Sequence, residues 1–223
     1  ESIATVCQDR LFRLYQENRC GAYRVVAEDI DKRALRNVCL SYLAFTDQGE
    51  ELVSSHYEEA DNMTDTLAAL IAATKAQLAC QEELLADFEA QWSHDGLVMD
   101  KWFALQATRP DDDVLAIVEK LMAHPSFNLN NPNRVRALVG AFASQNPKAF
   151  HAVDGSGYRF LVEVLIKLNE SNPQVAARLI EPLIKLSRYD NQRQTLMRRG
   201  LERLKGLDNL ARDLFEKIEK ALL

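Results

Sequence analysis

Apolar residues recur along this chain at spacings of three and four, the period of a helix with one buried face. Sustained alternation of apolar and polar positions is absent, as is any Asn-Gly or Asp-Gly hairpin signal, so the pattern predicts an all-α fold. Cys7, Leu11, Leu14 and Tyr15 share the face of a first helix. Leu35, Val38, Cys39, Tyr42 and Leu43 form that of a second, with Asp29 or Asp31 placed to cap it. After Gly49 the stripe continues through Val53, His56, Tyr57 and Ala60, and Thr64 stands before another made of Leu67, Leu70, Ile71 and Leu78. Leu84, Leu85, Phe88 and Trp92 mark the next helix. A break at Ser93–Gly96 precedes one built on Val98, Trp102 and Leu105, which Pro110 ends. Val114, Val118, Leu121 and Met122 then face inward until His124-Pro125 stops the run.

The helix starts become sharper further on. Asn131-Pro132, Asn146-Pro147 and Asn172-Pro173 each combine a side chain that accepts a free amide with a proline that supplies a preset φ and lacks an amide of its own. Val135, Leu138, Val139 and Phe142 make one regular stripe, and Leu161, Val164, Leu165 and Leu168 another, joined through the Gly155-Ser156-Gly157 turn, where Asp154 or Ser156 caps the second helix. Pro182 predicts a break near Glu181, because its ring collides with the preceding turn. Two last helices complete the chain, one capped by Asp190 with Leu201 and Leu204 inward, the other after Gly206 and Asp208 with Leu210, Leu214, Phe215 and Ile218 inward. About a dozen helices result, without a strict repeat period, arranged as antiparallel pairs stacked into a solenoid with a concave surface.

Composition narrows the partners more than the fold. With 223 residues, 47% of them hydrophobic, the chain can bury a substantial core. A net charge of −6 gives no general attraction to nucleic acid or anionic lipid. No apolar run approaches the roughly twenty residues that span a bilayer, and the start lacks the layout of a signal peptide, so the expected location is the cytoplasm. The four cysteines, Cys7, Cys20, Cys39 and Cys80, lie far apart, which argues against a disulfide framework. The chain opens on Glu1 instead of methionine, and from this a piece of a longer polypeptide is expected.

Candidate chemistry is sparse. A zinc hydrolase needs two histidines one helical turn apart with a glutamate beside them, and His56, His94, His124 and His151 have no such arrangement, so no metal site is expected. His56 with Glu59 reads as a surface pair, and Asp111, Asp112 and Asp113 as stabilisers of a helix start. Gly155-Ser156-Gly157 lacks the flanks of a nucleophile elbow. Trp92, Trp102, Phe103, Phe142 and Phe160 have core spacing. The arginines are the better candidates. Arg134 and Arg136 flank Val135, and Arg178 sits beside Leu179 near the Pro182 break, so each can turn a guanidinium from the edge of a packed face toward a cavity. Guanidinium groups bind carboxylates through paired, directional hydrogen bonds. The plain alternative is that they are solvated or paired with Glu163 or Glu181.

The ordered strings Gly96–Phe103, Asn131–Phe142, His151–Tyr158 and Asn172-Pro173-Gln174-Val175-Ala176, leading into Arg178-Leu179-Ile180-Glu181-Pro182, resemble the C-terminal helical domain of bacterial aminopeptidase N, a cytoplasmic zinc exopeptidase family. The resemblance is thinner over residues 1–90 and strong over 91–223. It implies one ARM/HEAT-like α-solenoid domain over residues 1–223, cut at its N-terminal side from a longer aminopeptidase chain. Such a domain is noncatalytic and carries no cofactor; zinc belongs to the parent's catalytic domain. The family's helical domain closes over the catalytic domain of the same polypeptide, leaving a chamber that admits peptide substrates. By motif position, Arg136 and Arg178 face that chamber, and Arg134 has the weaker case. The competing expectation is a free-standing helical-repeat module that binds a protein partner.

Overall fold

The computed structural model describes residues 3–223, and every regular element among them is helical. Glu1, on which the expectation of an excised segment rests, lies outside the described residues. Contacts gather the chain into two compact units, Glu1–His94 and Asp95–Leu223.

In the N-terminal unit the helix Gln8–Glu17 packs on Ala27–Leu43. That helix and Gly49–Glu59 both pack on Met63–Ala76, which also meets Gln81–Trp92. Cys39, Leu40, Leu43, Val53, Leu70 and Phe88 fill the interior. Several sequence expectations fail here, for one physical reason: polar residues with close partners take inward positions. Asp29 does not cap a helix. It lies inside the first turn of Ala27–Leu43, buried, with its carboxylate 2.7 Å from Arg24 Nε, while Arg33, also buried, donates to the Arg24 carbonyl at 3.2 Å. The stripe is thereby rotated, leaving Leu35, Val38 and Tyr42 exposed. Asn62, not Thr64, caps the next helix, accepting the Asp65 amide at 3.1 Å, and Ile71 points outward while Ala69, Ala72 and Ala73 are buried. Gly49 opens its helix against the preceding turn, where a Cβ would stand 2.3 Å from the Ala44 carbonyl oxygen.

The C-terminal unit keeps closer to its sequence pattern. Gly96–Ala107 pairs with Val114–Leu121; Ser156–Ser171 packs on Pro173–Leu179 and Asn191–Lys205; Arg212–Leu222 lies on Pro173–Leu179. These antiparallel pairs build an all-α solenoid, cut more finely than a dozen helices because four-residue segments such as Pro147–Phe150 and Glu181–Ile184 stand between the longer ones. All three asparagines cap as their chemistry requires. Asn131 accepts the Asn133 amide at 3.0 Å, Asn146 that of Ala149 at 3.3 Å, and Asn172 that of Val175 at 3.3 Å, each with proline at the helix start. Asp154 accepts the Ser156 amide at 3.0 Å across Gly155, whose φ of +71° suits glycine. Gly157 passes so close to the preceding turn that a Cβ would meet the Phe150 carbonyl oxygen at 2.4 Å. The helix from Pro173 stops at Leu179 and restarts at Glu181, as Pro182 demands. Val135, Leu138, Val139, Phe142, Leu161 and Leu165 are fully enclosed, and Phe142 stands edge-on to Phe150 and Phe160.

One correction falls near the C-terminus. The last helix follows Gly206 and Asp208 as expected but starts only at Arg212, and the Asn169 side chain reaches across to accept the Ala211 amide at 2.9 Å and to donate to the Asn209 carbonyl at 3.0 Å. Phe215 is exposed, not inward. Asp190 does cap Asn191–Lys205, accepting the Arg193 amide at 3.0 Å, and this bond together with the Arg193 guanidinium holds its carboxyl below the usual range. Replacing it by alanine is expected to cost about 1 kcal/mol, read as a fall of about 2–4 °C in thermal midpoint for a chain of this size.

Candidate functional site

Arg136 and Arg178, forty-two positions apart in sequence numbering, line one cavity of about 310 Å³ in the C-terminal unit. Its walls come from two helical segments. Pro132 through Gln145 gives one side, with Gly140, Ala141, Ser144 and Gln145 facing the space; Val175 through Pro182 gives the other. Two irregularities shape it. Arg136–Gly140 is a π turn, in which the Ala141 amide reaches back five residues to the Arg136 carbonyl, and such a turn carries one extra residue that re-aims the side chains beyond it. The Pro182 break does the same on the opposite wall. Cavity lining is mainly apolar, with the two guanidinium groups at its edge.

Among the described residues neither arginine makes an ion pair, although the Arg136 charge is felt by Asp100. Arg136 donates to the Asn133 side chain, and no ion pair involves Arg178 among the described residues. The acids named as alternatives are taken elsewhere. Glu163 pairs with Arg203, and Glu181, although it lines the cavity, pairs with Lys217, which also donates to the Ala177 carbonyl at 2.7 Å. An apolar recess lined by two guanidinium groups that make no ion pair among the described residues suits a ligand with a carboxylate or carbonyl oxygens and an apolar body. The lysine that removes Glu181 from play had no sequence signal, since the pairing joins two separate helices.

Arg134 behaves differently from its neighbour two positions on. It is buried, donates to the Gly96 carbonyl at 3.0 Å and to Asp100 Oδ1 at 2.6 Å, and lies over the Phe103 ring. It is absent from the cavity lining and fastens the helix Gly96–Ala107 to the one beginning at Pro132. Burial outweighs the guanidinium beside it and pushes the Asp100 carboxyl above its ordinary range.

The histidines are tied into packing. His151 bonds Tyr158 Oη at 2.8 Å and stacks on Tyr189; His124 lies against Trp102 and Phe103; His94 stacks on Trp92. His56 is not the surface partner of Glu59 that its spacing predicts: only 1% exposed, it bonds Tyr15 Oη at 2.9 Å, while Glu59 pairs with Arg19 and Arg36. The three aspartates do not cap through side chains. Asp111 pairs with Arg109 at 3.0 Å and Asp112 with Lys148 at 2.8 Å, while Asp113 precedes Val114 without a capping bond. Among the described residues no group of three or more His, Cys, Asp or Glu side chains is placed to hold a metal ion, and no helix is long and apolar enough to cross a membrane.

Comparison with known proteins agrees with this architecture. A family model described as a domain of unknown function with ARM repeats, DUF3458_C, matches residues 1–223. Aminopeptidase N of Haemophilus influenzae is 66% identical over 220 residues, covering 99% of this chain and 25% of the relative. Aminopeptidase N of Escherichia coli K12 is 57% identical over 223 residues, again 99% of this chain and 26% of the relative. A crystal structure of Legionella pneumophila aminopeptidase A in complex with aspartic acid superposes with a TM-score of 0.89 at 29% identity, over 99% of this chain and 27% of that one. The chain belongs to this ARM-repeat domain family. More narrowly, it is a domain of the aminopeptidase N type, the counterpart of that enzyme's C-terminal helical domain, and it spans about a quarter of the length of the relatives it matches.

Proposed function

We propose that this helical domain forms part of the wall of a peptide chamber in a cytoplasmic zinc aminopeptidase. In this reading, which rests on the similarity to aminopeptidase N, the catalytic domain of the same polypeptide holds the zinc and removes N-terminal residues. The observation that carries this reading is the convergence of Arg136 and Arg178 on one largely apolar cavity whose single lining acid, Glu181, is paired with Lys217. A peptide brings a C-terminal carboxylate and backbone carbonyls, both acceptors for guanidinium donors, while its side chains fit the apolar lining. The domain's contribution is then to retain and orient the far end of the peptide and to exclude folded proteins by enclosure. The cysteines are all free thiols, which suits the reducing cytoplasm.

The test uses the full-length enzyme carrying this domain. Hydrogen bonds to charged groups contribute about 1.5–3 kcal/mol each, so replacing both Arg136 and Arg178 by alanine should lower kcat/KM for tri- and tetrapeptides about a hundredfold or more. Hydrolysis of a single amino-acid anilide, which has no distal carboxylate, should change little. Equal losses on both substrates, or on neither, would contradict the chamber role.

A further inference from the structure

Arg178 stands between two recesses of the C-terminal unit. Besides the cavity it shares with Arg136, it lines a larger one of about 620 Å³, whose far wall is the last helix, Arg212–Leu222, through Asp213, Glu216, Lys217 and Lys220. Arg178 is the residue that the two have in common. Glu181 lines only the first and Lys217 only the second, so the ion pair between them bridges the two recesses.

Chain position and backbone put Glu181 within reach of Arg178. The two are three residues apart, and Ile180 between them keeps right-handed helical angles, φ −68° and ψ −16°, ahead of Pro182. Side chains at that spacing on a helix are neighbours, and opposite charges there attract. Yet Glu181 pairs with Lys217, and Arg178 makes no ion pair among the described residues. Lys217 Nζ donates to Glu181 Oε1 and, at 2.7 Å, to the Ala177 carbonyl, one residue before Arg178. The two bonds straddle Arg178. They are fixed by packing, since the last helix lies against both Pro173–Leu179 and Glu181–Ile184. The acids of the larger recess are occupied as well: Glu216 pairs with Arg212 at 2.8 Å, and Asp213 lies in the first turn of its helix, whose free amides attract a carboxylate.

We propose that Lys217, which does not itself line the peptide cavity, is a positioning residue for peptide retention: by holding Glu181 it leaves the Arg178 guanidinium free for substrate oxygens. The inference rests on the chamber reading above. Without the lysine, the Glu181 carboxylate turns to Arg178, where it competes with the substrate carboxylate for the same donors and repels it.

The test is a set of variants of the full-length enzyme carrying this domain, assayed with a tetrapeptide and with an amino-acid anilide. Lys217→Met should lower kcat/KM for the tetrapeptide about fivefold, the order set by one partly exposed ion pair, and leave the anilide unchanged. Adding Glu181→Gln should bring the tetrapeptide value back to within about twofold of the unaltered enzyme, because a neutral amide no longer competes for the guanidinium. A lysine that merely braced the helix end could not be rescued in this way. A double variant as impaired as Lys217→Met would therefore overturn the proposal. Arg178→Ala separates this inference from the reading it rests on. A tetrapeptide loss in Arg178→Ala with none in Lys217→Met would overturn the role of Lys217 alone, by showing that the released Glu181 turns to Lys185 or to water. No loss in either variant would overturn the chamber reading, and this inference with it.

Discussion

Replacing Arg134 by alanine is expected to destabilise the C-terminal unit by about 3–5 kcal/mol, the range for removing one partner of a buried ion pair. The size reflects the groups left behind. Asp100 would lose its ion-pair partner while remaining mostly enclosed, and the Gly96 carbonyl would lose a donor at 3.0 Å. The ring of Phe103 would lose the guanidinium above it. Burial already pushes the Asp100 carboxyl above its ordinary range despite Arg134, so the attraction within the pair does not fully offset the desolvation of its carboxylate. A double replacement, Arg134→Met with Asp100→Leu, should therefore recover most of the lost stability. Urea unfolding monitored by tryptophan fluorescence measures both, since Trp102 sits in the same helix as Asp100. A single replacement that costs under about 1 kcal/mol would show that Asp100 finds water instead.

That expectation separates two arginines that look alike in the sequence. Arg134 and Arg136 both flank Val135, and periodicity alone offers each as a cavity-edge candidate. What divides them is Asp100, thirty-four positions before Arg134, which forms an ion pair with that arginine alone. The same limit explains where sequence reading succeeds. Helix caps and apolar stripes depend on residues within one or two turns, so the Asn-Pro starts, the Pro182 break and the enclosed faces from Val135 to Phe142 and from Leu161 to Leu168 are all legible. In the N-terminal unit the decisive partners are distant, and less can be read. Tyr15 and His56 meet across forty-one positions, a contact that gives the buried ring a hydrogen-bond partner no local spacing records. The stripe containing Val53 and His56 points inward correctly; the spacing to Glu59 points outward and misleads.

The candidate cavity is legible only in part, for a related reason. Arg136 and Arg178 are marked by lying beside helix breaks, and breaks are local. That Glu181 is neutralised by Lys217 decides whether Arg178 stays available, and this pairing joins two helices whose relation no local pattern records. The π turn at Arg136–Gly140 is likewise unreadable: an extra residue in a turn leaves the apolar spacing of Val135, Leu138, Val139 and Phe142 consistent with an ordinary helix.

Asn146→Ala is expected to cost about 3 kcal/mol, of which the helix cap is about 1 and the rest the price of two stranded carbonyls. Asn146 is buried, and its amide donates to the Ala107 carbonyl at 3.1 Å and the Arg109 carbonyl at 2.8 Å while its oxygen accepts from Ala149. One side chain thus starts the helix Pro147–Phe150 and closes the end of Gly96–Ala107, whose last carbonyls have no partner within the helix. Aspartate tells these roles apart. As a cap it equals asparagine, but here it would set a carboxylate against two carbonyl oxygens, so Asn146→Asp should be at least as damaging as alanine. At Asn172, whose side chain makes only its capping bond among the described residues, the change to aspartate should stay within about 0.5 kcal/mol. Urea midpoints for the three variants decide it: if Asn146→Asp unfolds with the unaltered chain, the two long-range bonds carry no stability and capping alone explains this asparagine.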